Sequence, residues 1–81
     1  MRIREAINMV LWKYRDHLDE FLLVIEDRLT GLGYRCIPFT DILRVDKRYV
    51  YIGSGNTLTN LIPIHRVLRI VKRSGEVVWE R

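Results

Sequence analysis

With one cysteine, two prolines and two histidines in 81 residues, the chain has few of the residues from which common stabilising devices and active sites are built. A lone Cys36 excludes an internal disulfide, and with His17 and His65 far apart it provides no metal-ligand spacing, so no structural metal is expected. Cys36 lies in an apolar run and is expected to be a buried thiol, not a nucleophile, in a protein of the reducing cytoplasm. No charged n-region followed by an apolar run opens the chain. The long uncharged stretch Val50 to Ile64 is interrupted by Gly53, Gly55, Asn56 and Pro63, so no membrane partner is expected. Gly53-Ser54-Gly55 is followed by neither a Lys-Ser/Thr pair nor a helical pattern, which argues against a phosphate loop and for a hairpin turn. No cofactor is implied.

What is present describes one domain, residues 1–81, that buries only about 60% of its unfolded surface and so has a thin core. Hydrophobic residues make up 48% and charged residues 30%, as in a globule that folds alone or as a small homo-oligomer. The net charge of +4 is unevenly spread. Between Tyr34 and Gly75 eight basic residues face only Asp41 and Asp46, a local net of +6, while the remainder nets −2. A basic half of this kind fits an RNA or phosphate binder, and it also fits the solvated face of a heat-adapted protein.

Ile3, Ala6, Ile7, Val10 and Leu11 recur with helical spacing, predicting an amphipathic helix over residues 2–13, with Trp12 expected to pin it to a sheet. Residues 14–20 read as a loop holding a solvated His17. Phe21 to Ile25 reads as a central strand and Tyr34 to Phe39 as its returning partner, joined by a turn at Leu29–Gly33. Further strands are expected at 42–45, 48–52, 58–62, 68–71 and 76–79, with turns at Gly53–Asn56 and about Arg73–Gly75. The fold class is α+β: one N-terminal amphipathic helix on a mostly antiparallel sheet or small barrel of about six or seven short strands.

Residues 37–48, Ile-Pro-Phe-Thr-Asp-Ile-Leu-Arg-Val-Asp-Lys-Arg, are echoed 25 positions later at 62–73, Ile-Pro-Ile-His-Arg-Val-Leu-Arg-Ile-Val-Lys-Arg. The echo suggests one strand-corner-strand unit used twice, with proline ending a ladder at each corner. Thr40-Asp41 suits hydrogen bonding to the turn's own amides. His65-Arg66 has no such local reason, which makes the pair the leading candidate for phosphate binding. A corner-capping histidine and a carboxylate-paired arginine are the plain alternative.

The opening Ile3-Arg4-Glu5-Ala6-Ile7-Asn8 to Leu11-Trp12, the two Ile-Pro corners with His65-Arg66, and the ending Gly75 to Arg81 together resemble the mainly archaeal family registered as domain of unknown function five hundred and four, also described as an RNA cyclic-group-end recognition domain. The resemblance spans nearly the whole chain and implies a role in recognising RNA ends that carry a 2′,3′-cyclic phosphate. In the family the tryptophan is usually followed by Asp-Pro, where this chain has Lys13-Tyr14.

Three functions are compatible with these residues. In the first, a non-catalytic RNA-end or phosphate-binding module, Arg66 offers forked donors and His65 one hydrogen bond, Arg44, Arg69 and Lys72 track the backbone, and Tyr49 or Tyr51 stacks on a base. The second is a protein-interaction module of an RNA-processing complex. The third, a cyclic phosphodiesterase, needs an acid and a base on opposite sides of the ring; Asp41 is the only partner in view for His65, and an enzyme is not expected.

Overall fold

In the computed structural model, which describes residues 1–29 and 31–81, the helical stripe forms α1 at Ile3–Lys13. Ala6, Ile7 and Val10 are fully buried, as their spacing on one face requires. The Tyr14 amide closes the last turn by donating to the Val10 carbonyl at 3.0 Å. Trp12 departs from expectation, being 75% exposed with the Arg15 guanidinium 5.1 Å from its ring centre. It lies nine residues beyond Ile3, about two and a half helical turns, and therefore on the opposite side of the helix. Trp79 instead packs against the core cluster, and its indole Nε1 donates to the Met1 carbonyl, just before the helix, at 2.9 Å.

Residues 14–20, expected as a loop, contain a short 3₁₀ turn at Leu18–Glu20. Seven strands follow: β1 (Phe21–Asp27), β2 (Gly33–Pro38), β3 (Ile42–Val45), β4 (Tyr49–Ser54), β5 (Thr57–Pro63), β6 (Val67–Lys72) and β7 (Val77–Glu80). They divide into two antiparallel sheets, one ordered β2-β1-β6-β7 and the other β3-β4-β5. The run Phe21–Ile25 is accordingly an inner strand, paired on both sides. Thr30, within the turn expected at Leu29–Gly33, lies outside the described residues; Gly31 and Gly33, which follow it, have φ of 79° and 83°, the left-handed region that glycine enters without penalty. Gly55-Asn56 make a two-residue hairpin turn between β4 and β5, with φ 61° at Gly55.

The chain changes sheet twice, and a proline stands at each crossing. Pro38 ends β2, a 3₁₀ turn at Phe39–Asp41 follows, and Ile42 starts β3 in the other sheet; Pro63 ends β5, a 3₁₀ turn at Ile64–Arg66 follows, and Val67 returns to the first sheet in β6. The prolines hold nearly the same backbone, φ −61°, ψ 139° and φ −56°, ψ 131°. At the first crossing Phe39 is fully buried, whereas none of the three residues of the second turn is buried.

Both sheets and the helix contribute to a single apolar cluster: Phe21, Leu23, Ile25, Ile37, Val67 and Ile70 from the larger sheet, Ile42, Val50 and Ile62 from the smaller, Phe39 from the first corner, and the three helical residues. No polar or charged residue is buried among the described residues. Cys36, expected inside, is exposed. Leu23 pairs with Ile37 on the core side of the sheet, so the neighbouring pair Val24 and Cys36 faces the other way, on an edge strand. No helix of the described residues is long and apolar enough to cross a membrane, and no group of three or more potential metal ligands occurs among them.

Candidate nucleic-acid interface

The second corner presents its polar pair because its apolar neighbours are committed inward. Ile62 and Val67 are buried and Ile64 half-buried, which leaves His65 and Arg66 exposed between them. The Val67 amide closes the turn onto the Ile64 carbonyl. Two outside contacts fix its backbone: the Ile64 amide donates to the Arg48 carbonyl at 2.8 Å, and the Arg81 guanidinium donates to the His65 carbonyl.

The contact with Arg48 brings the β3–β4 turn against the corner, and that turn is itself held by Asp46. One carboxylate oxygen, Oδ1, accepts the amides of Arg48 and Tyr49, both at 2.8 Å, while Oδ2 accepts the Tyr51 hydroxyl at 2.5 Å. The Tyr51 hydroxyl, followed by the two amides, lowers the Asp46 pKa to about 2, and the same bond raises that of Tyr51. The Arg44 guanidinium sits 4.0 Å from the centre of the Tyr51 ring. Lys47, Arg48 and the half-exposed Tyr49 are thus displayed on a turn whose shape is set from beneath.

Two grooves meet at His65. The larger, of about 550 Å³, is lined by Glu26, Asp27, Arg28 and Leu29 from the end of β1 together with His65 and Arg66. The smaller, of about 360 Å³, is lined by Lys47, Arg48 and Tyr49 on one side and Pro63, Ile64 and His65 on the other. In the larger groove Glu26 lies 3.6 Å from Arg28, and Asp27 lies 3.7 Å from Arg35. No carboxylate lines the smaller one.

Of the residues singled out from the sequence, His65 and Arg66 share the larger groove, and Arg44, Arg69 and Lys72 line neither. Arg44 is stacked on Tyr51. Arg69 pairs with Glu80 at 3.8 Å, and Lys72 pairs with Glu76 at 3.1 Å, a hydrogen bond that raises the lysine pKa. Asp41 belongs to the other corner and lines neither groove. Lys47 and Arg48, which the sequence reading counted only as charge, stand beside His65. Their signal was within reach: counting back from the Gly55-Asn56 turn, with one residue of slip for the bulge at Ile52/Gly53, sets Tyr49 opposite Pro63.

Comparison with known proteins supplies the family. The profile of the MJ1316 RNA cyclic group end recognition domain matches residues 1–81. The chain belongs to this family. It is 45% identical to a UPF0248 protein of Saccharolobus solfataricus over 82 residues, covering all of this chain and 98% of the relative. It is 42% identical to a UPF0248 protein of Saccharolobus islandicus (strain M.14.25), over the full length of both, and 41% identical to one of Metallosphaera sedula, covering all of this chain and 94% of the relative. No solved structure matches the chain. Within the MJ1316 domain as this chain builds it, the surface around His65 carries an exposed histidine, three unpaired cations (Lys47, Arg48 and Arg66, each free of an ion pair among the described residues) and a half-exposed aromatic ring.

Proposed function

We propose that the protein is a non-catalytic module that binds RNA ends bearing a phosphate, a 2′,3′-cyclic phosphate among them, through the surface centred on His65. The observation that carries this is the juxtaposition at one corner of His65, Arg66 and the Lys47-Arg48-Tyr49 turn around two open grooves. Cationic donors on a fixed backbone suit phosphate oxygens, and an exposed tyrosine offers a base a stacking surface that tolerates any sequence. The family description supports the same ligand class. Arg69 and Lys72, each paired only with an exposed glutamate, hold those partners weakly enough to exchange them for backbone phosphates along β6. Arg44 serves from behind, by stacking on Tyr51. The two proline corners act as copies of one backbone device, of which the second has been given over to binding.

The reading is non-enzymatic because ring opening needs an acid and a base flanking the phosphate: across the smaller groove His65 meets only cations and Tyr49, and in the larger one Glu26 and Asp27 are each within 4 Å of an arginine. The test is an anisotropy titration of a labelled RNA pentamer ending in a 2′,3′-cyclic phosphate against the same oligomer ending in a diol. The cyclic end should bind more tightly, with affinity falling steeply with salt, by a log–log slope of about −0.7 for each phosphate contacted. The end should be recovered intact after incubation. Absence of binding to either oligomer, with an acidic protein co-purifying after nuclease treatment, would replace RNA by a protein partner.

A further inference from the structure

The two grooves at His65 differ in charge, and that difference locates the phosphate. In the larger groove, Arg66 shares the space with Glu26, Asp27 and Arg28, so two carboxylates stand where an anion would enter. The smaller groove brings Lys47 and Arg48 to His65 with no carboxylate in its lining. Neither Lys47 nor Arg48 is engaged in an ion pair among the described residues. The nearest acid in sequence, Asp46, has both oxygens occupied by the turn's own amides and the Tyr51 hydroxyl. One wall is stiffened by Pro63 and by the Ile64 to Arg48 hydrogen bond, so cations and histidine face each other across a prearranged gap. Tyr49 is 38% exposed at its rim, leaving ring surface for a base or sugar next to the phosphate.

We infer that the terminal phosphate of a single-stranded RNA is seated in the smaller groove, between Lys47, Arg48 and His65, with the adjoining nucleoside against Tyr49, and that Arg66 does not hold it. This rests on the RNA-end reading and adds to it the seat and the nucleoside contact. In the larger groove the carboxylates Glu26 and Asp27 offset the neighbouring arginines, so an anion meets less net positive charge there than in the smaller groove, whose charged lining is Lys47 and Arg48. Nothing covalent changes; the ligand binds and leaves with its ring closed.

The experiment uses the full chain and the two pentamers, cyclic-ended and diol-ended, with folding of each variant confirmed by its thermal melt. The double variant Lys47→Ala/Arg48→Ala should lose about tenfold or more in affinity for the cyclic end, lose the preference for it over the diol, and give a salt slope shallower by about 1.4, two contacts at about 0.7 each. Tyr49→Leu should weaken both pentamers equally, and Arg66→Ala should weaken both by the same factor, leaving the preference for the cyclic end intact. If Arg66→Ala abolishes the end preference while Lys47→Ala/Arg48→Ala keeps it, the seat is in the larger groove; this inference falls and the RNA-end reading stands. If the wild type binds neither pentamer, the RNA-end reading fails and takes this inference with it.

Discussion

The turn residues at the two proline corners are buried to different extents, and this offers a quantitative test. Phe39 is fully buried, with its ring edge-on to Phe21 at 6.2 Å between centroids and 68° between planes; Phe21 in turn lies 4.9 Å from Tyr14. Truncation by Phe39→Ala removes a complete core side chain at the joint between the sheets, a class of change that costs about 3–5 kcal/mol. For a chain of 81 residues at about 0.05–0.15 kcal/mol per residue, that is a large share of the total. The equivalent position in the second corner, Ile64, is half-buried and packs against the cluster from its rim. Ile64→Ala should therefore cost about 1–2 kcal/mol, less than the low end of the fully buried range. Urea unfolding followed by tryptophan fluorescence gives both values, and in thermal melts each kcal/mol should move the midpoint by about 4–8 °C. If Phe39→Ala unfolds outright, Phe39→Leu retains most of the volume and should still lose more than Ile64→Ala. Equal losses at the two corners, or a larger one at Ile64, would refute the view that the first corner is anchored in the core and the second held from outside.

A Cβ on Gly53 would collide with the Thr57 carbonyl oxygen and come within 2.7 Å of Leu43 Cδ1, so Gly53→Ala should cost about 1–3 kcal/mol by forcing the β4–β5 bulge apart; an unchanged urea midpoint would contradict this. Asp46 is held at about 2 against an ordinary 3.8, chiefly by the Tyr51 hydroxyl, so the folded chain stays ionised where the unfolded chain takes up a proton. Its stabilisation is complete above pH 3.8 and fades as pH falls toward 2; Asp46→Asn should flatten the dependence of stability on pH across that window, and an unaltered slope would remove Asp46 from this role. The exposed Cys36 should react with a disulfide reagent in the native protein at one equivalent per chain, and Cys36→Ser should alter stability by no more than about 0.5 kcal/mol; protection until unfolding would place the thiol inside.

The helix and all seven strands were legible in the sequence because apolar periodicity and turn residues are local signals. What went unread was where local patterns meet tertiary direction. The size of Trp12 suggests a core aromatic, but its position half a turn out of phase with Ile3, Ile7 and Val10 puts it outside. Cys36 was read from the apolar character of its run, whereas alternation beside Ile37 turns it outward on an edge strand. The division into two sheets was not legible, because which ladder a strand joins after a proline corner depends on partners distant in sequence. Lys47 and Arg48 could have been brought to the side of His65 only by following the β4–β5 register back from the Gly55-Asn56 turn through the bulge at Ile52/Gly53.

That the two proline corners carry different polar pairs leads to a direct exchange. Replacing His65-Arg66 by the pair found at the first corner, as His65→Thr/Arg66→Asp, alters two exposed side chains whose backbone is held by hydrogen bonds from Ile64 and Arg81 and by the buried Ile62 and Val67. Neither original side chain is buried and neither makes an ion pair among the described residues, so stability should change by no more than about 0.5 kcal/mol. Binding should respond differently. The exchange removes the imidazole shared by both grooves and adds a carboxylate beside Glu26 and Asp27, so affinity for the cyclic-ended RNA should fall by more than the Arg66→Ala change alone produces. The thermal melt and the anisotropy titration separate the outcomes. A variant that melts like the wild type and no longer prefers the cyclic end means that the exposed pair serves binding, with His65 at the phosphate, while the corner serves the fold. A variant that loses both stability and binding means that His65 and Arg66 hold the corner together, as Phe39 does at the other crossing.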